Sequence, residues 1–555
     1  MASTLSQHLS NITTSSFRGI RRYSVKSSRT LPLQQSPCLR PHRSLAHANM
    51  STTTQLRSLN IDNINPHVKE AKYAVRGELA VRAEKYRQKL SDNKQDAGLP
   101  FDTVISANIG NPQQLDQKPL TFFRQVASLL ENPLLLEHEK VLTDSLGYKQ
   151  DVIDRARWLL DDVKSVGAYS GSQGTPGIRK SVAKFCESES TSIVLLRPTL
   201  TTTPERDGYP ADPDSIYLTA GASSGVNTLM HIICASPSTG VLVPIPQYPL
   251  YTATLSLLDG RCVPYYLDEK NNWGTSMESI EKSLKEAKAA GTDVRAIVII
   301  NPGNPTGATL SADEIKSIIT VAADEKLVVL ADEVYQNNIF EGSFVSFKKA
   351  LRELQASTKD KKYDTVELAS LHSISKGMVG ECGHRGGYME LIGFDPEVVQ
   401  EIYKFVSISL CPPVVGQAFV EMMVNPPQEG EPSYELYKKE YDGIFAGLKK
   451  RAMALYDAFK EMEGVTCNSP TGSMYLFPSI TLTEKAKQKA KDDGKSPDEF
   501  YVSKLLDATG VCMVPGSGFG QEEGTLHFRT TFLAPGTDWV GRITKFHADF
   551  MKEFK

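Results

Sequence analysis

Residues 295–331 constrain this chain more than any other stretch. RAIVII (295–300) is apolar, a loop and SADEIKSIITVAADEK follow, and a second apolar run, LVVLA (327–331), closes the unit. The middle segment carries Ile315, Ile318, Ile319 and Ala322 at i, i+3, i+4 and i+7, which predicts a helix with one apolar face. Ser311 and Glu314 form a capping-box pattern at its start. The flanking runs are almost wholly apolar, as parallel strands covered on both faces must be. Strand, helix, strand in this order predicts an α/β fold with a mostly parallel sheet and a right-handed crossover. The same alternation extends over 214–376, including SIYLT (215–219) and VELASL (366–371).

The 555 residues leave room for two to four domains, and 40% hydrophobic with 23% charged residues is a globular balance. No run approaches the roughly 18 apolar residues of a bilayer span. Charge is segregated: residues 1–61 hold eight Lys or Arg, many serines and no acid. That composition predicts a transit peptide and import into the mitochondrial matrix, with Met50 as a second start for a leaderless cytosolic form. The remainder has 54 basic and 65 acidic residues, without the basic footprint of nucleic-acid binding. The eight cysteines show no zinc-site spacing, and HExxH, GxxxxGK[ST] and a complete GxGxxG are absent, so no metal or dinucleotide site is expected.

Open parallel sheets place ligands at the carboxyl ends of their strands. NPGNPTG follows 295–300, Asp332-Glu333-Val334-Tyr335 follows 327–331, and HSISK, ending in Lys376, follows 366–371. AGASSG follows SIYLT and opens a helix with Val226, Leu229, Met230 and Ile233 on one face; its small residues expose N–H groups that suit a phosphate. An amine, a carboxylate, an anion site and a flat aromatic are the contacts that pyridoxal phosphate needs. Further on, apolar residues at 437, 441, 444, 448, 452, 455 and 459 predict one long helix over 433–462 that bridges two domains.

NPGNPTG, LADEVY, SISK with an arginine nine residues beyond its lysine, and HFRTTF, in this order, resemble the fold-type-I pyridoxal-phosphate aminotransferases from about Asn65 to the C-terminus. YAVRGE (73–78), ANIGNPQ (107–113), TFFRQV (121–126) and SKGMVGECGHRGGYME (375–390) resemble the alanine aminotransferase group within them. The resemblance implies a large cofactor-binding domain over 140–430. A long helix and small domain would occupy 431–555, with 62–139 an N-terminal arm and part of the small domain. It implies that Lys376 carries the cofactor and moves the substrate Cα proton, and that Asp332 pairs with the pyridinium nitrogen. Tyr335 and Asn304 would bond the ring's phenolate oxygen and Tyr248 would cover the ring. Ala222, Ser223, Ser373 and Arg385 would hold the phosphate, with Tyr169 reaching the phosphate of a second subunit in a homodimer. Arg529 would clamp the substrate carboxylate, helped by Asn304 and the backbone near Gly110.

The expected reaction is ping-pong transamination, L-alanine and 2-oxoglutarate giving pyruvate and L-glutamate. Glyoxylate as acceptor, a β-lyase or cyclopropane-forming reaction on the same cofactor, and a non-catalytic sensor stay open. TSIVLLRPTLTTTP (191–204) departs from the family pattern, either as a surface excursion or as translated intron.

Overall fold

The apolar runs assemble into one sheet in a computed structural model, which describes residues 59–61, 63–73, 77–92, 97–187 and 206–555. The leader through residue 58, a start at Met50 and the 191–204 segment lie outside the described residues. All elements below belong to the unit Ile61–Lys555. The strands are β1 (Ile216–Thr219), β2 (Thr239–Ile245), β3 (Arg261–Asp268), β4 (Gly274–Thr275), β5 (Asp293–Ile300), β6 (Val328–Asp332), β7 (Leu368–Ser373) and β8 (Gly387–Ile392). Their order across the sheet is β1-β8-β7-β6-β5-β2-β3-β4.

Strands β7, β6, β5, β2 and β3 are mutually parallel. β8 runs antiparallel to both of its neighbours, β7 and β1, so β1 points the same way as the parallel set. The carboxyl ends of β1, β5, β6 and β7 therefore lie on one edge, as their polar followers require. Two strands end later than their apolar runs suggest. Asp332 pairs with Ile300 as the last residue of β6, and His372 and Ser373 pair with Tyr388 and Gly387 in β7. The ladder continues through polar residues because their backbone groups still need partners in a buried site. Lys376 thus sits three residues past β7, in a turn.

The crossover helix spans Ala312–Glu325 and its capping box is complete: the Ser311 hydroxyl accepts from the Glu314 amide while the Glu314 carboxylate accepts from the Ser311 amide. Ile315, Ile318 and Ile319 are fully buried against the sheet, each contributing about 1.5–3 kcal/mol of transfer free energy. Helix Ala222–Ile233 buries Val226, Leu229, Met230 and Ile233 on the other side.

Beyond the sheet, the helix Tyr434–Lys460 joins two cores. Tyr437 packs in the cluster built on the helices Thr121–Glu131, Gln150–Val163 and Val414–Val424, while Leu448, Ala452, Leu455 and Phe459 pack in the cluster of C-terminal residues. That second core holds a three-stranded antiparallel sheet of β9 (Tyr475–Leu476), β10 (Val514–Pro515) and β11 (Phe528–Thr531), with β11 central. Ile105–Ser106 pairs parallel with Val511–Cys512, which brings the chain from Ala107 to Asn111 alongside β11. Among the described residues no helix is long and apolar enough to cross a membrane, and all seven cysteines are free.

Candidate active site

A cavity of about 450 Å³ opens at the carboxyl edge of the large sheet and extends to β9 and β11. Ala222, Ser223, Tyr248, Asn304, Asp332, Tyr335, Ser373, Lys376, Arg385, Gly110 and Arg529, separated by as many as 419 positions, all line it. Tyr169 does not: it is 78% exposed, away from this cavity.

Three charges on the cavity wall lack a partner of opposite sign among the described residues. Asp332 is buried; Oδ2 accepts from the Tyr251 hydroxyl at 2.8 Å and Oδ1 from the Val334 amide at 3.4 Å. Burial pushes its carboxyl above the ordinary range, against the pull of those bonds and of the Lys376 charge. Arg529 is 1% exposed. Its guanidinium donates to Asn304 Oδ1 at 3.1 Å and to the Asn108 carbonyl, lies between the rings of Tyr475 and Phe519 at 4.2 and 4.5 Å, and leaves Nε without an acceptor. Burial draws its pKa down, with the nearby tyrosines opposing. Arg385 donates to the carbonyls of Cys382 and Ala220, both at 2.8 Å, and to Ser223 Oγ at 3.5 Å.

A buried charge without a counter-charge is costly, so a site that retains two of them, Asp332 and Arg529, with the half-buried Arg385 beside them, is built for a ligand that supplies the complements. The local backbone shapes each place. Gly221, at φ +87°, precedes the first turn of helix Ala222–Ile233, and a Cβ there would come within 2.4 Å of the Arg385 guanidinium. That close approach puts Arg385 beside the first turn of the helix and Ser223, while the Ser373 hydroxyl, also on the cavity wall, donates to the Gly386 carbonyl at 2.9 Å. Gly110 admits the Lys376 amine, which donates to the Gly110 carbonyl; a Cβ at 110 would lie 2.8 Å from Nζ. The carbonyl beside Arg529 is that of Asn108, two residues before Gly110, and the Gly110 carbonyl accepts from Lys376. Asn304 stands 3.4 Å from the Tyr335 hydroxyl, joining the two groups expected to bond one oxygen.

Two lining residues, Tyr73 and Tyr475, and the buried Tyr251 behind Asp332 escaped the sequence reading. The Tyr73 hydroxyl meets that of Tyr248 at 2.5 Å, Tyr251 holds Asp332, and Tyr475 lies between Tyr335, Lys376 and Arg529. Tyr73 lies in the YAVRGE string and Tyr251 three residues after Tyr248, which are usable signals. Tyr475 sits in the apolar run SMYLFP, where nothing local marks it.

On the other face of β6, Glu333 accepts from Arg206 and from the Phe347 amide at 2.8 Å, in a wholly buried network with Asp207, Lys348 and Glu390. Cys186, Asp207 and Glu390 offer ligand atoms within 4.8 Å of one another, and the cations beside them are the side chains of Arg206 and Lys348.

These unmatched charges fit pyridoxal phosphate: Arg385 and the helix start would suit its phosphate, Asp332 its ring nitrogen, Lys376 its attachment, and Arg529 a substrate carboxylate. The comparisons agree with this geometry. The model of the family described as aminotransferase class I and II matches residues 139–539. The chain is 52% identical over 518 residues to the mitochondrial alanine aminotransferase of Saccharomyces cerevisiae, covering 93% of this chain and 84% of that protein. It is 48% identical over 497 residues to the inactive alanine aminotransferase of the same organism, covering 89% and 94%. Among solved structures, alanine aminotransferase from Pyrococcus furiosus superposes with a TM-score of 0.65 at 24% identity, covering 88% of this chain and 100% of that one. A sheet edge that gathers these charges, on a chain matched by that family over most of its length, makes this protein a member of the class I and II aminotransferases.

Proposed function

We propose that the protein transfers the amino group of L-alanine to 2-oxoglutarate, giving pyruvate and L-glutamate, in two half-reactions at one pyridoxal-phosphate site. The observation that carries this reading is the set of opposite, unmatched charges around a single free amine: Asp332, Arg385 and Arg529 about Lys376. Similarity alone does not carry it, because a relative described as inactive is 48% identical.

When bound, the cofactor withdraws electrons from the substrate Cα and so makes its proton removable. Asp332, kept in place by Tyr251 and the Val334 amide, stabilises positive charge at the ring nitrogen. Arg529 binds the substrate carboxylate through two parallel N–H bonds, a fit that a lysine cannot supply. Lys376 would hold the cofactor through its amine and, when that amine is free, would be the base that takes and returns the substrate Cα proton. Tyr335 and Asn304 would hold the ring's phenolate oxygen, and Tyr248, on the loop after β2, would cover the ring. The protein acts as a homodimer in which Tyr169, exposed on this subunit, reaches the phosphate place of the second. The acid-free leader directs it to the mitochondrial matrix, in line with the mitochondrial location named for the yeast relative.

Product analysis tests the proposal. With L-alanine and 2-oxoglutarate the purified enzyme should form pyruvate and glutamate in equal amounts. Release of an eliminated fragment, or no turnover, would reject it.

A further inference from the structure

We propose that Tyr475 is a positioning residue for proton transfer: its hydroxyl, together with the Gly110 carbonyl, aims the Lys376 amine, and its ring holds the Arg529 guanidinium. This rests on the transamination reading above.

Tyr475 is buried on β9, the strand that pairs with the arginine-bearing β11 in the register Tyr475↔Thr531. Its hydroxyl accepts from Tyr335 at 3.4 Å, and it flanks Gly110 together with Lys376 Nζ: a Cβ built at Gly110 would lie 2.0 Å from the hydroxyl and 2.8 Å from the amine. A deprotonated lysine keeps two N–H donors and one lone pair. The Gly110 carbonyl can only accept, so it takes one N–H. The Tyr475 oxygen has two lone pairs and can take the second N–H of the amine whether the Tyr335 hydroxyl donates to it or turns to the cofactor. With both hydrogens held, the lone pair is the one position of the amine left free for the proton to be removed. Gly110 is required for this arrangement, since a Cβ there would lie 2.0 Å from the Tyr475 hydroxyl.

The ring does a second job. Arg529 lies 4.2 Å over it, so one side chain sets both the carboxylate clamp and the base, and the substrate's Cα is fixed relative to both.

The test uses the cofactor-loaded enzyme and separates hydroxyl from ring. Tyr475→Phe should lower kcat by about 10- to 100-fold, the scale of a misaimed reacting group, with KM for L-alanine within about threefold. The kinetic isotope effect with Cα-deuterated alanine should rise, because proton transfer becomes slower. Binding of propionate, a carboxylate without an amine, should be unchanged by calorimetry. Tyr475→Leu should in addition weaken propionate by about tenfold, as loss of a buried cation–π contact implies. Gly110→Ala should lower kcat in the parent but cost less in the Tyr475→Phe background, because both changes break one contact. Unchanged kcat and isotope effect in Tyr475→Phe, or a loss of turnover that merely follows lost propionate binding, would overturn the inference. If the unsubstituted enzyme fails to transaminate alanine, the transamination reading is what fails.

Discussion

Replacing Arg529 by glutamine should separate function from stability in opposite directions. Two charge-assisted hydrogen bonds to the substrate carboxylate, at about 1.5–3 kcal/mol each, sum to about 3–6 kcal/mol, so kcat/KM for L-alanine should fall by about 10²- to 10⁴-fold. The loss should fall mainly on KM, since the carboxylate is bound before and during the reaction. The folded enzyme, by contrast, carries this guanidinium 1% exposed, with Nε unpaired and no carboxylate beside it among the described residues. Removing an uncompensated buried charge relieves a desolvation cost, so Tm should hold or rise in Arg529→Gln. Steady-state kinetics and differential scanning calorimetry of the substrate-free enzyme supply the two numbers. An unchanged KM, or a Tm lowered by several degrees, would refute the reasoning, because either shows that Arg529 serves the fold and not an anionic ligand.

Lys376→Ala should abolish transamination, and Asp332→Asn should lower kcat by about 10²- to 10³-fold while the cofactor stays attached, as initial rates and absorption spectra will read. His372 tests the buried network. Burial and the Arg206 charge hold its pKa down to about 3 from 6.5, so the unfolded chain binds a proton there that the fold does not. Its contribution is complete above pH 6.5 and is lost as pH falls toward 3, about 2 kcal/mol by pH 5, and His372→Gln should flatten the acid limb of unfolding free energy against pH. Co-refolding Lys376→Ala with Tyr169→Phe subunits should restore up to about a quarter of the sites, because hybrid dimers hold one site that has both intact residues. No recovery beyond that of the Tyr169→Phe dimers alone would place Tyr169 outside the partner's site.

The parts of this protein that were legible in its sequence are those set by local pattern. The i, i+3, i+4, i+7 spacing located the buried faces of Ala312–Glu325 and Ala222–Ile233, because a helix repeats its environment every turn. The placing of Asp332, Lys376 and the small residues at Ala222 and Ser223 on one edge follows from where a strand ends, which fixes which residues face that edge. What stayed hidden depends on pairs distant in the chain. Lys376 meets a carbonyl 266 positions away and Arg529 one 421 positions away, so which backbone group serves which side chain is decided by the pairing of Ile105–Ser106 with Val511–Cys512. Tyr475 is apolar in context and polar only at its tip, and burial of the Arg206–Glu333 pair shows only when the partners from four elements are together.

The most direct test of the account is the half-reaction with L-alanine alone. The visible band of the cofactor in the purified enzyme should disappear on adding L-alanine, with one pyruvate released per site, and should return on adding 2-oxoglutarate, with one glutamate. A band that persists in saturating L-alanine, with no pyruvate formed, would contradict the assignment of this chain to alanine transamination.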